Sequence, residues 1–184
     1  MTGITLYRII AAPILFLLII SQRQDIFKWL IAISFSTDAI DGYLARRYKV
    51  VSKFGAMLDS IGDDLTIVAA ITGIILLKPE FLRKEMILII LLFALFLLQT
   101  ILALIRYRKL SSFHTYTAKT AAVLQGIFVL LLFFLDEPVY ILFHITAAVT
   151  VIDLVEEIIL VLLLPHWETD VKGLYSIMKK GQSK

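Results

Sequence analysis

The sequence predicts an all-α integral membrane protein of six transmembrane helices with both termini in the cytoplasm. Three observations lead there. Apolar residues are 60% of the 184 and mean hydropathy is +0.91, whereas soluble domains hold about 45–50% apolar residues. Uncharged runs such as residues 86–105 match the ~20 residues that a helix needs to cross a bilayer. Charge clusters and prolines such as Pro79 and Pro138 fall between the runs.

Hydrocarbon offers no partner to a free peptide group, so each apolar run is read as helix. The first, residues 4–20, is a retained crossing, because Arg8 interrupts it and no small-x-small cleavage site follows. The second, 26–47, is plainly apolar only as far as Phe35 and must carry Asp38 and Asp41 to reach full length. The third, 54–77, opens with Asp59 and Asp63. Runs 85–105 and 117–135 are the fourth and fifth, and the sixth, 139–164, holds Asp153, Glu156 and Glu157 in an otherwise apolar setting. Segments 21–25, 78–84 and 136–138 connect on one side; 48–53, 106–116 and both termini lie on the other. Thirteen of the eighteen Lys and Arg residues fall on the terminal side, which the positive-inside rule makes cytoplasmic. Residues 1–164 then form one membrane domain. Residues 165–184 form a short interfacial tail whose Trp167, Tyr175 and spaced lysines suit the anionic inner surface.

Composition also excludes chemistry. With no cysteine there is no disulfide, thiol nucleophile or thiolate metal site, so any metal must use oxygen or imidazole. A net charge of +3 is too small to argue for nucleic acid. His114, His144 and His166 are scattered without metal-ligand spacing and are assigned no role.

The acids of the second and third crossings are the anomaly. Carboxylates at membrane depth are costly unless they face water, a partner charge or a metal. Asp38 and Asp41 are i,i+3 and Asp59 and Asp63 are i,i+4, so each pair shares one helix face. The short connection makes the two helices antiparallel neighbours and brings all four acids together near the cytoplasmic surface. Like charges at such range bind protons or collect cations. Oxygen-only ligands favour hard ions, and two Mg²⁺ or Mn²⁺ ions would form the usual clamp of phosphoryl chemistry. Pairing with Arg46, Arg47, Lys49 and Lys53 at the membrane edge is the alternative. Gly42, Ala45 and Gly55 remove bulk from the facing surfaces, where a ligand or simply a close helix would fit, and Arg46 could reach a phosphate.

The full pattern, Asp38-x₂-Asp41-Gly42-x₂-Ala45-Arg46-x₈-Gly55-x₃-Asp59-x₃-Asp63, resembles the signature of the CDP-alcohol phosphatidyltransferases in all eight fixed positions and every spacing. The resemblance is close over residues 37–63 and loose over the rest. It implies a homodimer that transfers a phosphatidyl group from CDP-diacylglycerol to an alcohol, releases CMP, and opens to the cytoplasm of a bacterial or archaeal cell. It implies Asp38, Asp41, Asp59 and Asp63 as metal ligands, with Asp63 also the base on the acceptor hydroxyl. Gly42, Ala45, Arg46 and Gly55 would line the CDP pocket.

The opening Thr5-Leu6-Tyr7-Arg8-x₄-Pro13 and Lys119-x₅-Gln125 are similar to the phosphatidylglycerophosphate and cardiolipin synthase branch, which implies glycerol 3-phosphate as acceptor. Arg106, Arg108 and Lys119 are the cations for its phosphate, or else positive-inside residues. Ser60 and Asp64 depart from that branch's usual proline and lysine, which keeps phosphatidylglycerol, inositol or its phosphate, and serine open as acceptors. Asp64 points about 100° away from Asp63 and packs or titrates independently. The three acids of the sixth crossing line the cavity, pair with cations across the dimer or support the ligands from behind, with a structural or interfacial role favoured because polar groups in membranes often bridge helices. Intramembrane carboxylates would also serve a small cation transporter, although these cluster near one face rather than at mid-depth. A non-catalytic scaffold would not require all four acids.

Overall fold

The computed structural model describes residues 2–48, 53–109, 113, 115–167 and 171–174, with the side chains of 2–6, 38, 39, 41–48 and 53–60 outside that description. Among the described residues there are seven helices and no strand: α1 (Thr2–Ile20), α2 (Gln24–Tyr48), α3 (Lys53–Leu77), α4 (Pro79–Lys84), α5 (Met86–Tyr107), α6 (Tyr116–Phe134) and α7 (Tyr140–Leu163). Six of them coincide with the six apolar runs. The seventh, α4, occupies what the sequence suggests is a plain connection, and its ends explain it. Pro79 takes the first helical position, where no N–H is needed, Glu80 sits in the first turn, and Arg83 and Lys84 sit in the last.

Several hydroxyls inside the apolar helices are satisfied locally. The hydroxyls of Ser34, Thr66, Thr72 and Thr150 each donate to the carbonyl four residues back, at 2.7–3.0 Å. The C-terminal ends of α1 and α5 are closed by the backbone. After α1, Arg23 N–H donates to Leu18 O and Gln22 N–H to Ile19 O, with Gln22 left-handed at φ 54°, which is the Schellman arrangement. After α5, Arg108 is left-handed at φ 53° and its N–H donates to Leu104 O.

The chain divides into two compact units, residues 1–84 with 129–138, and residues 85–128 with 139–184. In the first, α1 packs on α2 and α3, and α2 on α3. Its core is Leu15, Ile19, Phe27, Ile31, Ala69, Ala70 and Phe133, with the Phe27 and Phe133 rings edge to face at 4.9 Å. In the second, α5 packs along α7. Ala103, Phe113, Leu160, Val161, Leu164 and Val171 form its core, and Tyr107 Oη donates to Leu164 O at 2.9 Å.

Among the described residues, two helices, Met86–Tyr107 and Tyr116–Phe134, are long and apolar enough to cross a membrane. The first turns Ile87, Phe93, Leu98 and Ile105 outward, a surface suited to lipid. The protein is membrane-associated.

Candidate active site

Both α2 and α3 are helical through the acid positions, so 38 and 41 on α2, and 59 and 63 on α3, keep the spacing that places each pair on one helix face. The side chains of Asp38, Asp41 and Asp59, and those of Ala45 and Arg46, lie outside the described residues, as do the surroundings of Gly42 and Gly55. Among the described residues no group of three or more His, Asp or Glu is arranged to hold a metal.

Asp63 is described, and it has a partner that the sequence reading did not assign. Arg8 of α1 donates from Nη1 to Asp63 Oδ1, an ion pair between residues 55 apart in the chain. The Arg8 side chain is 0% exposed and that of Asp63 38%. Gly62 lies against Arg8: a Cβ there would sit in ordinary contact, 3.4 Å from Arg8 Cβ and 3.7 Å from its Nε. Thr66 is buried one turn further, its hydroxyl on the Gly62 carbonyl. A cationic guanidinium thus neutralises one of the four acids from within the protein. The signal for it was present in the sequence, because a single charge in the otherwise apolar run of α1 requires a counter-charge on a neighbouring helix. Asp64, one step on, is exposed, in keeping with its different direction.

The three cations considered for an acceptor phosphate belong to the second unit and are all exposed. Arg106 Nε donates to Leu164 O at 3.2 Å, Arg108 caps α5, and Lys119 Nζ lies 5.8 Å from the centre of the Tyr116 ring. Arg106 therefore also closes the C-terminal end of α7, where free carbonyls attract cations.

Asp153 and Glu156 of α7 are bound to neighbours in the same unit. Asp153 Oδ1 accepts from Thr115 at 3.2 Å and Thr117 at 3.1 Å, and Thr115 Oγ1 accepts the Ala118 N–H at 3.0 Å as the N-cap of α6. Glu156 accepts from the Thr117 hydroxyl and, through Oε1, from the Leu174 N–H at 2.9 Å. Of the roles open to Asp153 and Glu156, these contacts are the bridging one: the two acids tie the start of α6 and the segment 171–174 to α7. His144, given no role from sequence, reaches Glu85 Oε2 at 3.4 Å.

Residues 2–162 match the sequence model of a family described as CDP-alcohol phosphatidyltransferase. Among curated relatives, the CDP-diacylglycerol–glycerol-3-phosphate 3-phosphatidyltransferase of Haemophilus influenzae is 39% identical over 75 residues, 39% of this chain and 40% of that protein. A protein of the same description from Cereibacter sphaeroides is 43% identical over 72 residues, 37% of this chain and 33% of that one. CDP-diacylglycerol–inositol 3-phosphatidyltransferase 1 of Arabidopsis thaliana is 45% identical over 42 residues, 23% of this chain and 18% of that protein. The chain thus spans less than half the length of these relatives. No solved structure matches it. Since the family match takes in all but the first residue and the last stretch of the 184, the chain belongs to the CDP-alcohol phosphatidyltransferase family.

Proposed function

We propose that this protein transfers a phosphatidyl group from CDP-diacylglycerol to the hydroxyl of a small alcohol, with glycerol 3-phosphate the favoured acceptor, and releases CMP. The observation that carries the reading is the set of four aspartates at i,i+3 and i,i+4 on two contacting helices, in a chain of this family. The acceptor follows the Haemophilus and Cereibacter relatives, whose descriptions name glycerol 3-phosphate.

The chemistry asked of the residues is specific. An alcohol is a weak nucleophile at neutral pH, so a positioned carboxylate must take its proton as the oxygen attacks. Asp63 takes that role. The new bond forms between the acceptor oxygen and the lipid-bearing phosphorus, the bond from that phosphorus to the CMP oxygen breaks, and the proton stays on Asp63. Asp38, Asp41, Asp59 and Asp63 form an oxygen-only donor set on contacting helices, which fits hard divalent cations. Two Mg²⁺ or Mn²⁺ ions, when bound, offset charge on the diphosphate and the departing CMP. Gly42, Ala45, Arg46 and Gly55 receive the CDP moiety, and Arg106, Arg108 and Lys119 supply positive charge suited to a phosphorylated acceptor. Six crossings, cytoplasmic termini, an active site open to the cytoplasm of a bacterial or archaeal cell, and a homodimer belong to the same proposal, supported by the distribution of Lys and Arg and by the family.

The test is CMP release from CDP-diacylglycerol by purified protein in Mg²⁺, with glycerol 3-phosphate, phosphatidylglycerol, inositol, inositol phosphate and serine supplied in turn. Glycerol 3-phosphate should give the fastest release, and Asp63→Asn should lower it about 10²–10⁴-fold. Release with none of the acceptors, or full release by Asp63→Asn, overturns the reading.

A further inference from the structure

We propose that Arg8 is the positioning residue for Asp63, a guanidinium carried by α1 that holds the α3 carboxylate in the orientation from which it takes the acceptor's proton. This rests on the reading of Asp63 as the base. Burial is unequal across the pair: the cation is fully enclosed while the carboxylate retains more than a third of its exposure. The enclosed partner is thus fixed by packing and the open one is the one presented outward.

The contact is also built into the backbone rather than reached by a flexible surface chain. Arg8 lies alongside α3 at Gly62, the residue immediately before Asp63, where a Cβ would already be 3.8 Å from the guanidinium carbon. A Cβ alone fits there in ordinary contact, whereas a side chain as large as leucine would compete with the guanidinium for the same space. The α1–α3 packing that places Arg8 is the most extensive helix pairing in the first unit. A carboxylate on α3 alone could rotate about its side-chain torsions; a planar guanidinium donating to Oδ1 restricts it, in a way that a point charge does less well. Proton transfer requires the donor and acceptor within hydrogen-bond reach, and a displacement of about 1 Å costs roughly 10²-fold in rate.

The experiment measures kcat, KM for CDP-diacylglycerol, and the thermal unfolding midpoint for wild type, Arg8→Gln, Arg8→Lys, Asp63→Asn and the Arg8→Gln/Asp63→Asn pair. Arg8→Gln should lower kcat about 10²-fold with KM changed by less than about threefold. Arg8→Lys should recover part of that loss. In the Asp63→Asn background, Arg8→Gln should have no further effect, since the two act as a unit. Should Arg8→Gln fail to fold, Gly62→Leu keeps every charge and crowds Arg8, and it should lose kcat in the same sense.

Wild-type kcat in Arg8→Gln, or in Gly62→Leu, overturns the proposal. So does a raised KM at unchanged kcat, which makes Arg8 a substrate-binding group, or the same fold-loss in both backgrounds. If Asp63→Asn is inactive while Arg8→Gln turns over fully, this proposal alone falls; if wild type releases no CMP with any acceptor, the function falls and takes this proposal with it.

Discussion

Gly73 of α3 faces the edge of the Phe27 ring of α2 so closely that a Cβ added there would stand 2.7 Å from Cζ and 3.0 Å from Cε1, with Phe133 Cζ at 3.2 Å. Phe27 and Phe133 are both almost wholly buried and stacked edge to face, so neither ring can yield without disturbing the core of the first unit. Gly73→Ala should therefore destabilise the protein by about 1–3 kcal/mol through overpacking, even though alanine favours helix. The measurement is the thermal unfolding midpoint in detergent; an unchanged midpoint would mean that the rings shift freely. Phe27→Leu introduced with Gly73→Ala should recover part of the loss.

The C-terminal strap offers a second test. Gly173 has φ +134°, and a Cβ there would meet Glu156 Oε1 at 2.9 Å, so alanine would be strained twice over. The same carboxylate oxygen accepts the Leu174 N–H. Gly173→Ala and Glu156→Ala should each release segment 171–174 from α7, whereas Glu156→Gln, which keeps an acceptor oxygen, should hold most of it. Amide hydrogen exchange at Leu174 reads this directly, with faster exchange expected in the first two variants.

Metal dependence is the third. Chelation with EDTA should abolish CMP release, and Mg²⁺ or Mn²⁺ should restore it. Asp38→Ala should raise the concentration of Mg²⁺ needed for half-maximal rate, and should also remove the upward shift in unfolding midpoint that Mg²⁺ gives the wild type. Activity that survives exhaustive chelation would remove the metals from the mechanism.

Lys78, between α3 and α4, gives a pH test. Partial burial holds its amine below the usual 10.5, against the attraction of Asp136, while Lys28 adds to the lowering. Its folded value lies below its unfolded one, so the unfolded chain binds more protons there and stability rises with pH across the interval up to 10.5. The penalty on the charged form is in force below the folded value. Lys78→Met should accordingly be more stable than wild type near neutral pH, with the difference in unfolding midpoint narrowing as pH approaches 10.5. A difference that stays constant with pH would exclude Lys78 as its source.

Much of this architecture was legible in the residues. Each of the six apolar runs is a helix, because in an apolar setting the peptide groups have no other way to be satisfied. The helix α4 was missed because its six residues are too few for a periodic signal, although Pro79, Glu80, Arg83 and Lys84 spell out both of its ends. The spacing of Asp38, Asp41, Asp59 and Asp63 was readable because helical periodicity is fixed. For Arg8 the string shows only that a lone charge in an apolar run needs a counter-charge; that Asp63 supplies it was not readable, since nothing in a one-dimensional string says which face of α1 meets α3. The bridging of Asp153 and Glu156 to Thr115, Thr117 and Leu174 escaped for the same reason, each partner being 18 or more residues away along the chain.

The enclosure of Arg8 has a consequence for biosynthesis. Its counter-ion is synthesised 55 residues later, so at about 5–20 residues per second the ribosome leaves the nascent first helix without it for roughly 3–11 seconds. During that interval the guanidinium, carried among the apolar residues of the first helix, has no Asp63 to pair with, and an unpaired cation in such a setting is costly. The first helix therefore gains its final seat only when the third emerges, and assembly of this half of the molecule waits on the arrival of a single aspartate.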